Sequence, residues 1–419
     1  MEKITGLRCI SCGQTYDPYE LDYTCPECGA RRGTLEVLYD YETIGKTFRS
    51  EIESADETDV RKYSPLLPTE NNDLLPPLRI GGTPLYPYHD VSDEIAELWV
   101  KDDGGNPTAS YKDRATAFAI AEARRQGLKT MTCASTGNAA SSLAGLAASA
   151  GVETVIFVPK SAPEAKIAQL LVYGANVFTV DGSYDQAYDL TTEVAKEYGW
   201  YNRSAAMNPY LVEGKKTGAL EMADQLNWNP PDKVFVSVGD GSIISGLCKG
   251  FKELKRIGVT GHQPKIIGVQ AEGADTIAKS FNTFDGTEVK IEDQEAHTIA
   301  DSISVGKPRD IVKAVKYVYD NGGSYVTVTD DQISEAQVEL GRRRGIFAEP
   351  AAASAFAGFL KLLRDGDFDP DDRIGVFITG SGLKDIESVK NSVPEAVEVP
   401  PELSDVQQVL KDKGLVSTS

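Results

Sequence analysis

Lys112 is the residue whose surroundings best suit nucleophilic chemistry. It lies in Asn106-Pro107-Thr108-Ala109-Ser110-Tyr111-Lys112-Asp113-Arg114, a turn that feeds directly into a helix expected from Asp113 to Gln126. A cation at a helix start faces the positive end of the macrodipole, which lowers its proton affinity. Schiff-base formation needs a neutral amine, so the position suits a lysine nucleophile. A solvated surface lysine would fit the same residues, and the turn alone does not decide between them.

Two other stretches could hold anions. Ser135-Thr136-Gly137-Asn138 ends an expected strand and opens an expected helix over 139–150, so hydroxyls and N–H groups converge where a carboxylate could sit. An ordinary Ser/Thr helix cap reads the same way. Gly239-Asp240-Gly241-Ser242-Ile243 follows the apolar run Val234 to Val238 and precedes a helix through Leu247 to Leu254, so it presents consecutive N–H groups to an anion. A carboxylate repels a phosphate, so Asp240 must point away or be paired. Thr379 ends the run Ile374 to Ile378, where a parallel sheet opens its ligand crevice.

The cysteines carry a separate signal. Cys9 and Cys12 form one C-x-x-C pair, Cys25 and Cys28 another, and Gly13 and Gly29 follow them where a metal knuckle needs a residue tolerant of positive φ. Four thiolates so paired make a zinc ribbon, although the spacer between the pairs is shorter than usual.

The elements that must position these residues follow from the rest of the chain. At 419 residues it exceeds one compact core. Short continuous apolar runs at 98–100, 130–133, 155–158, 177–180, 234–238, 266–269 and 374–378 read as strands buried on both faces, with Ala-rich helices between them. That alternation predicts α/β architecture with a mostly parallel sheet. Residues 36–80 show no sustained period and read as an arm laid over the body, and Leu403 to Leu415 read as a terminal helix. With 43 Lys and Arg against 63 Asp and Glu, the net charge of −20 repels nucleic acid and anionic membranes. The acidic cluster at 365–372 reads as a solvated loop. No apolar run reaches a membrane span, and Met1 to Gly6 lack a signal-peptide pattern, so a cytoplasmic protein is expected.

The lysine segment resembles the Asn-Pro-Thr-Gly-Ser-Phe-Lys-Asp-Arg motif of threonine synthases, with Ala109 for Gly and Tyr111 for Phe. Further matches follow in the same order: Gly82-Thr83-Pro84-Leu85, Ala134 to Asn138, Asn208-Pro209 with Glu213 to Thr217, Ile346 to Pro350, and Thr379 to Asp385. The resemblance spans roughly residues 80 to 390 and implies pyridoxal-5′-phosphate (PLP) fold type II. In that arrangement a zinc ribbon occupies 1–35, an arm 36–80, the catalytic region 81–400 with a smaller lobe inserted at about 124–208, and a tail 401–419. The ribbon's zinc is structural, and a homodimer is expected.

By the same resemblance, Lys112 carries PLP as a Schiff base and moves protons. Asn138 meets the phenolic oxygen, Gly239, Asp240, Gly241, Ser242 and Ile243 hold the phosphate, and Thr379 meets the pyridine nitrogen. A neutral hydroxyl there makes the ring a weaker electron sink, which suits elimination and replacement better than transamination. Ser110, Ser135, Thr136 and Gly137 are assigned to the substrate, O-phosphohomoserine, and Lys215 is placed with them as a candidate donor outside the family's pattern.

The sequence also departs from the family. Bacterial members often read Asn-Pro-His-Arg-Leu-Glu-Gly, whose arginine grips the substrate's phosphate, and here Leu211 takes its place. Ala205 and Ala206 stand for Asn and Ser. Substitute donors among Lys215, Lys216, Arg203 and Arg309 are then required. A sister fold-type-II enzyme, either a cysteate-synthase-like β-replacement enzyme or a serine/threonine dehydratase, is the alternative. A non-catalytic ribbon protein that binds RNA or a partner is disfavoured by the lysine motif and the acidic charge.

Overall fold

Apolar runs in this chain become strands because successive residues meet different cores. In Lys233–Ser237, Val234 and Val236 join one apolar cluster and Phe235 the other. In Arg373–Ile378, Phe377 joins the first, while Ile374, Val376 and Ile378 join the second. The computed structural model describes residues 3–69, 71–88, 94–204 and 208–416. Ala205 and Ala206 lie outside the described residues.

The larger sheet has the order Ser324–Val328, Lys265–Ala271, Lys233–Ser237, Arg373–Ile378, Glu97–Asp102, Leu85–Tyr88. All neighbours are parallel except the last pair, where Leu85–Tyr88 runs antiparallel along the edge and so accommodates Pro87. The second sheet, Asn176–Val180, Glu153–Pro159, Thr130–Ala134 and Tyr201–Asn202, is parallel throughout. Its strands fall between residues 130 and 202, inside the segment expected as the inserted lobe. Every run expected to be a strand is one, in one or the other of these two sheets. The expected helices run Lys112–Arg125, Asn138–Ser149 and Leu403–Asp412, and Ser242–Arg256 follows the glycine loop.

The N-terminal region corrects two expectations. Thr15–Tyr16, Ile4–Cys9 and Leu35–Tyr39 form an antiparallel sheet, and Ile4 pairs with Tyr39, so the ribbon unit runs past residue 35. The arm is not aperiodic either. Tyr41–Ser54 is a helix whose cap, Asp40, accepts the Thr43 N–H at 3.0 Å and whose Ile44, Phe48 and Ile52 are buried. In the acidic cluster most residues are exposed, but Asp372 is buried and paired with Lys233. Among the described residues no helix is long and apolar enough to cross a membrane.

A buried ion cluster holds the Lys112 helix in place. Arg114, one turn in and fully buried, pairs with Asp103 at 2.6 Å and Glu221 at 3.0 Å, while Lys101 reaches Glu221 at 2.5 Å. Thr83 closes the cluster through its hydroxyl to Asp103 at 2.7 Å. The motif's arginine therefore ties together the end of Glu97–Asp102, the Gly82-Thr83 turn and the helix Pro209–Gln225. It does not reach the cavity described next.

Candidate active site

The turn before Lys112 is built from short-range polar contacts. Asp113 accepts the Thr108 N–H at 2.7 Å and the Thr108 hydroxyl at 2.5 Å, and the Ala109 N–H closes on the Asn106 carbonyl at 2.8 Å. The Tyr111 N–H bonds the Thr379 carbonyl at 2.8 Å, which stitches the lysine turn to the end of Arg373–Ile378. Ala109 has φ +62°, the left-handed region that a Cβ disfavours. Ala109→Gly removes about 1–2 kcal/mol of strain and adds chain entropy to the unfolded state. A net gain of about 0.5–1 kcal/mol in unfolding free energy is expected by denaturant titration, and no gain would contradict it.

Lys112 opens its helix at the wall of a cavity of about 710 Å³, within the usual size of ligand clefts of roughly 300–1,000 Å³. Burial lowers the proton affinity of its amine, and Arg203 lowers it further against the pull of Asp240 and Glu349. The cavity lies where both sheets end. Ser135, Thr136, Gly137 and Asn138 line it from the lobe, and Gly239, Asp240, Gly241, Ser242, Ile243 and Thr379 from the larger sheet. Lys215 lines it too. Ser110 is not among the lining residues: its backbone bridges Gly380, and its buried hydroxyl makes no hydrogen bond to any described residue.

The glycine loop is shaped for an anion. Gly241 caps Ser242–Arg256 with φ +93°, and a Cβ there would lie 2.7 Å from that of Ala314. The N–H groups of the first helical turn lack intrahelical acceptors. The buried Ser242 hydroxyl lies beside the buried Asp310 carboxyl but makes no well-aligned hydrogen bond to a described residue. The Asp240 carboxylate accepts the Arg309 main-chain N–H at 3.0 Å. Thr379 and Ser237 share a hydroxyl contact at 3.1 Å. These residues fit PLP: main-chain donors and an orphaned hydroxyl for its phosphate, a neutral hydroxyl for its ring nitrogen, and a lysine of depressed proton affinity.

Several lining residues were not assigned from sequence. Glu349, quoted within a motif but given no task, is fully buried, and its carboxylate accepts Asn138 Nδ2 at 2.9 and 3.0 Å. Burial pushes that carboxyl up, while Asn138 opposes the shift. Ser237 and Ser302 are further examples. Conversely, Lys216 is removed from the list of phosphate donors. It is fully buried between Glu213 at 2.6 Å and Glu253 at 2.7 Å, away from the cavity. Leu211 is likewise fully buried and off the wall.

At the N-terminus, the Sγ atoms of Cys9, Cys12, Cys25 and Cys28 lie within 4.8 Å of one another. Four thiolates at about 2.3 Å from zinc would stand about 3.8 Å apart, and the Cys12–Cys25 separation is 3.9 Å. The two knuckles are alike: the Gly13 N–H bonds the Cys9 carbonyl at 2.9 Å and the Gly29 N–H the Cys25 carbonyl at 3.0 Å, with φ +77° and +70°.

A lysine opening a helix, an anion loop on a second helix and a hydroxyl at a third strand end, all in one crevice of a parallel sheet, define a fold-type-II PLP enzyme. A family model described as pyridoxal-phosphate dependent enzyme matches residues 77–380. The chain is 40% identical to the threonine synthase of Methanocaldococcus jannaschii, over 97% of this chain and 99% of that one. It is 35% identical to that of Methanosarcina acetivorans over the same shares. Among solved structures, a fungal L-serine ammonia-lyase from Rhizomucor miehei superposes with a TM-score of 0.63 at 20% identity, covering 74% of this chain and 96% of that one. The last likeness shows the fold alone. The chain belongs to the pyridoxal-phosphate dependent enzymes and, within them, to the threonine synthase family.

Proposed function

We propose that this protein converts O-phospho-L-homoserine and water to L-threonine and phosphate. The observation that carries the reading is a cavity lined together by Lys112, the 135–138 loop and two buried basic side chains, Arg203 and Lys215. Lys112, Asn138, the 239–243 loop and Thr379 would hold PLP, which would supply an electron sink for carbanion chemistry at the amino acid. The N–H and hydroxyl groups of Ser135, Thr136 and Gly137 take the substrate's carboxylate. Lys112, with its depressed proton affinity, removes the proton at Cα and moves protons at Cβ and Cγ. Phosphate leaves Cγ and water adds at Cβ. The neutral Thr379–Ser237 hydroxyl pair offers the ring nitrogen no carboxylate, which favours this elimination and addition over transamination.

Parallel incubation with O-phosphohomoserine, O-phosphoserine, threonine and serine tests the reading. Threonine and phosphate in equal amounts from the first alone is the expected result. A sulfonated product from O-phosphoserine and sulfite, or ammonia from threonine or serine, would transfer the protein to a sister activity. Leu211, where bacterial members carry a phosphate-binding arginine, is what keeps that alternative open.

One structural zinc per chain at Cys9, Cys12, Cys25 and Cys28 is part of the proposal, supported by four Sγ atoms that lie within 4.8 Å of one another. Cys9→Ser should lower bound metal from about one equivalent to well below one-half, read by metal analysis of folded protein. Unchanged metal content would contradict the site, and a loss of turnover by orders of magnitude in folded protein would contradict the structural role. The layout 1–35, 36–80, 81–400 and 401–419, adjusted for the strand that continues to Tyr39, remains the domain scheme. A cytoplasmic homodimer acting on a small phosphorylated amino acid, without nucleic-acid or membrane partners, completes the proposal. The net charge of −20 supports the exclusion of nucleic acid.

A further inference from the structure

We infer that Arg203, assisted by Lys215, is the grip for the substrate's phosphate, replacing the arginine that Leu211 lacks. The inference rests on the threonine synthase reading and names the residues that would recognise its phosphorylated substrate. Both side chains line the cavity, with exposures of only 2% and 1%. Neither forms an ion pair with any described carboxylate. Arg203 donates Nε and Nη2 to a neutral group, the Thr116 hydroxyl, at 3.2 and 3.1 Å, and no hydrogen bond from the Lys215 amine to a described residue is formed. A buried guanidinium without an acid is costly unless an anion arrives to pair with it.

Other cations near the cavity are otherwise placed: Lys307, also on the wall, is largely solvent-exposed and lies 3.5 Å from Asp185. Arg309 lies over the Tyr188 ring at 3.8 Å and reaches toward Asp185 at 3.5 Å. Lys216 is held by two glutamates.

The position of Arg203 separates it from the cofactor's own phosphate loop. Arg203 leaves the strand Tyr201–Asn202, which pairs in parallel with Thr130–Ala134 through Met131 to Tyr201 and Thr132 to Asn202. Its N–H continues that pairing to the Thr132 carbonyl at 2.9 Å. The carboxylate loop Ser135-Thr136-Gly137 leaves the same end of the neighbouring strand. One edge of the lobe sheet thus offers donors for both anionic ends of a phosphorylated amino acid, while the 239–243 loop serves the cofactor from the other sheet. Lys215 reaches the cavity from the helix Pro209–Gln225; burial and neighbouring Lys112 lower its amine's proton affinity, so it serves as a second positive charge only once an anion binds beside it.

The test uses PLP-loaded protein and inorganic phosphate as the probe. Titrated phosphate should perturb the bound cofactor's visible spectrum, and Arg203→Met should weaken its apparent affinity about ten- to hundred-fold, with Lys215→Met having a smaller effect of the same sign. KM for O-phosphohomoserine should rise in parallel, and Arg203→Lys should recover part of both losses. PLP affinity should change less than threefold. Unaltered phosphate affinity in Arg203→Met would overturn the inference, as would a variant that loses PLP affinity instead. If Arg203→Met does not fold, Arg203→Lys and Lys215→Met carry the same comparison. Wild-type protein that binds phosphate through Arg203 but forms no threonine would refute the activity and leave the anion site standing.

Discussion

Lys112→Ala should abolish threonine formation, lowering kcat by at least about 10⁴-fold, and should remove the visible absorbance of bound cofactor. The physical reason is the doubling of tasks on one amine. On the proposed reading Lys112 both anchors the cofactor and moves the protons, and the other buried amine of the cavity, Lys215, enters from a different helix. Burial and Arg203 keep the Lys112 amine readily deprotonated, so a longer or shorter replacement cannot simply inherit the environment. Stopped-flow and steady-state phosphate assays would measure the loss. A variant that still turns over within a factor of ten would displace Lys112 from the centre of the mechanism.

Arg114→Met should destabilise the fold by about 3–5 kcal/mol, because it leaves the carboxylates of Asp103 and Glu221 buried with less compensation. The effect has a pH signature. Burial opposes ionisation of Glu221, but Arg114 and Lys101 outweigh it and hold its carboxyl well below the usual range. A depressed carboxyl pKa contributes stability that is complete above the unfolded value of about 4.3 and is lost as pH falls toward the folded value. Wild-type protein should therefore lose this contribution only below about pH 4. In Arg114→Met the deficit should be large at neutral pH and shrink toward acid pH, measured as unfolding free energy across a pH series. A deficit that is constant with pH would assign the effect to packing alone.

The residues legible in the sequence were those that sit at a junction between a strand and a helix. Lys112, Ser135 to Asn138, Gly239 to Ile243 and Thr379 each lie in a short stretch whose composition states its own geometry, and the fold brings all of them to one cavity. Ser110 shares such a stretch but is buried off the cavity wall, with its backbone bridged to Gly380. Ser237 and Arg203 owe their place to sheet topology, and Glu349, though inside a quoted motif, reaches the cavity as the residue before the helix Pro350–Asp365.

Lys215 and Lys216 show the limit of sequence proximity most clearly. Adjacent residues on a helix point about 100° apart, so one lines the cavity and the other enters an acidic pair. The missed helix Tyr41–Ser54 presents a single apolar residue per turn, Ile44, Phe48 and Ile52, among polar neighbours, a stripe too narrow to stand out. Ser324–Val328 is a half-buried edge strand, and Tyr201–Asn202 is only a pair of residues, so neither forms an apolar run.

The most direct test of the central claim is turnover of O-phospho-L-homoserine by PLP-loaded wild-type protein in ¹⁸O-labelled water, with mass analysis of both products. Departure of phosphate from Cγ followed by addition of water at Cβ predicts threonine carrying one ¹⁸O on its β-hydroxyl and phosphate carrying none, in equal amounts. Labelled phosphate with unmodified homoserine would reveal simple hydrolysis, and phosphate released with a 2-oxo acid and ammonia would reveal elimination without water addition. Either result would contradict the assignment of this cavity to threonine synthesis.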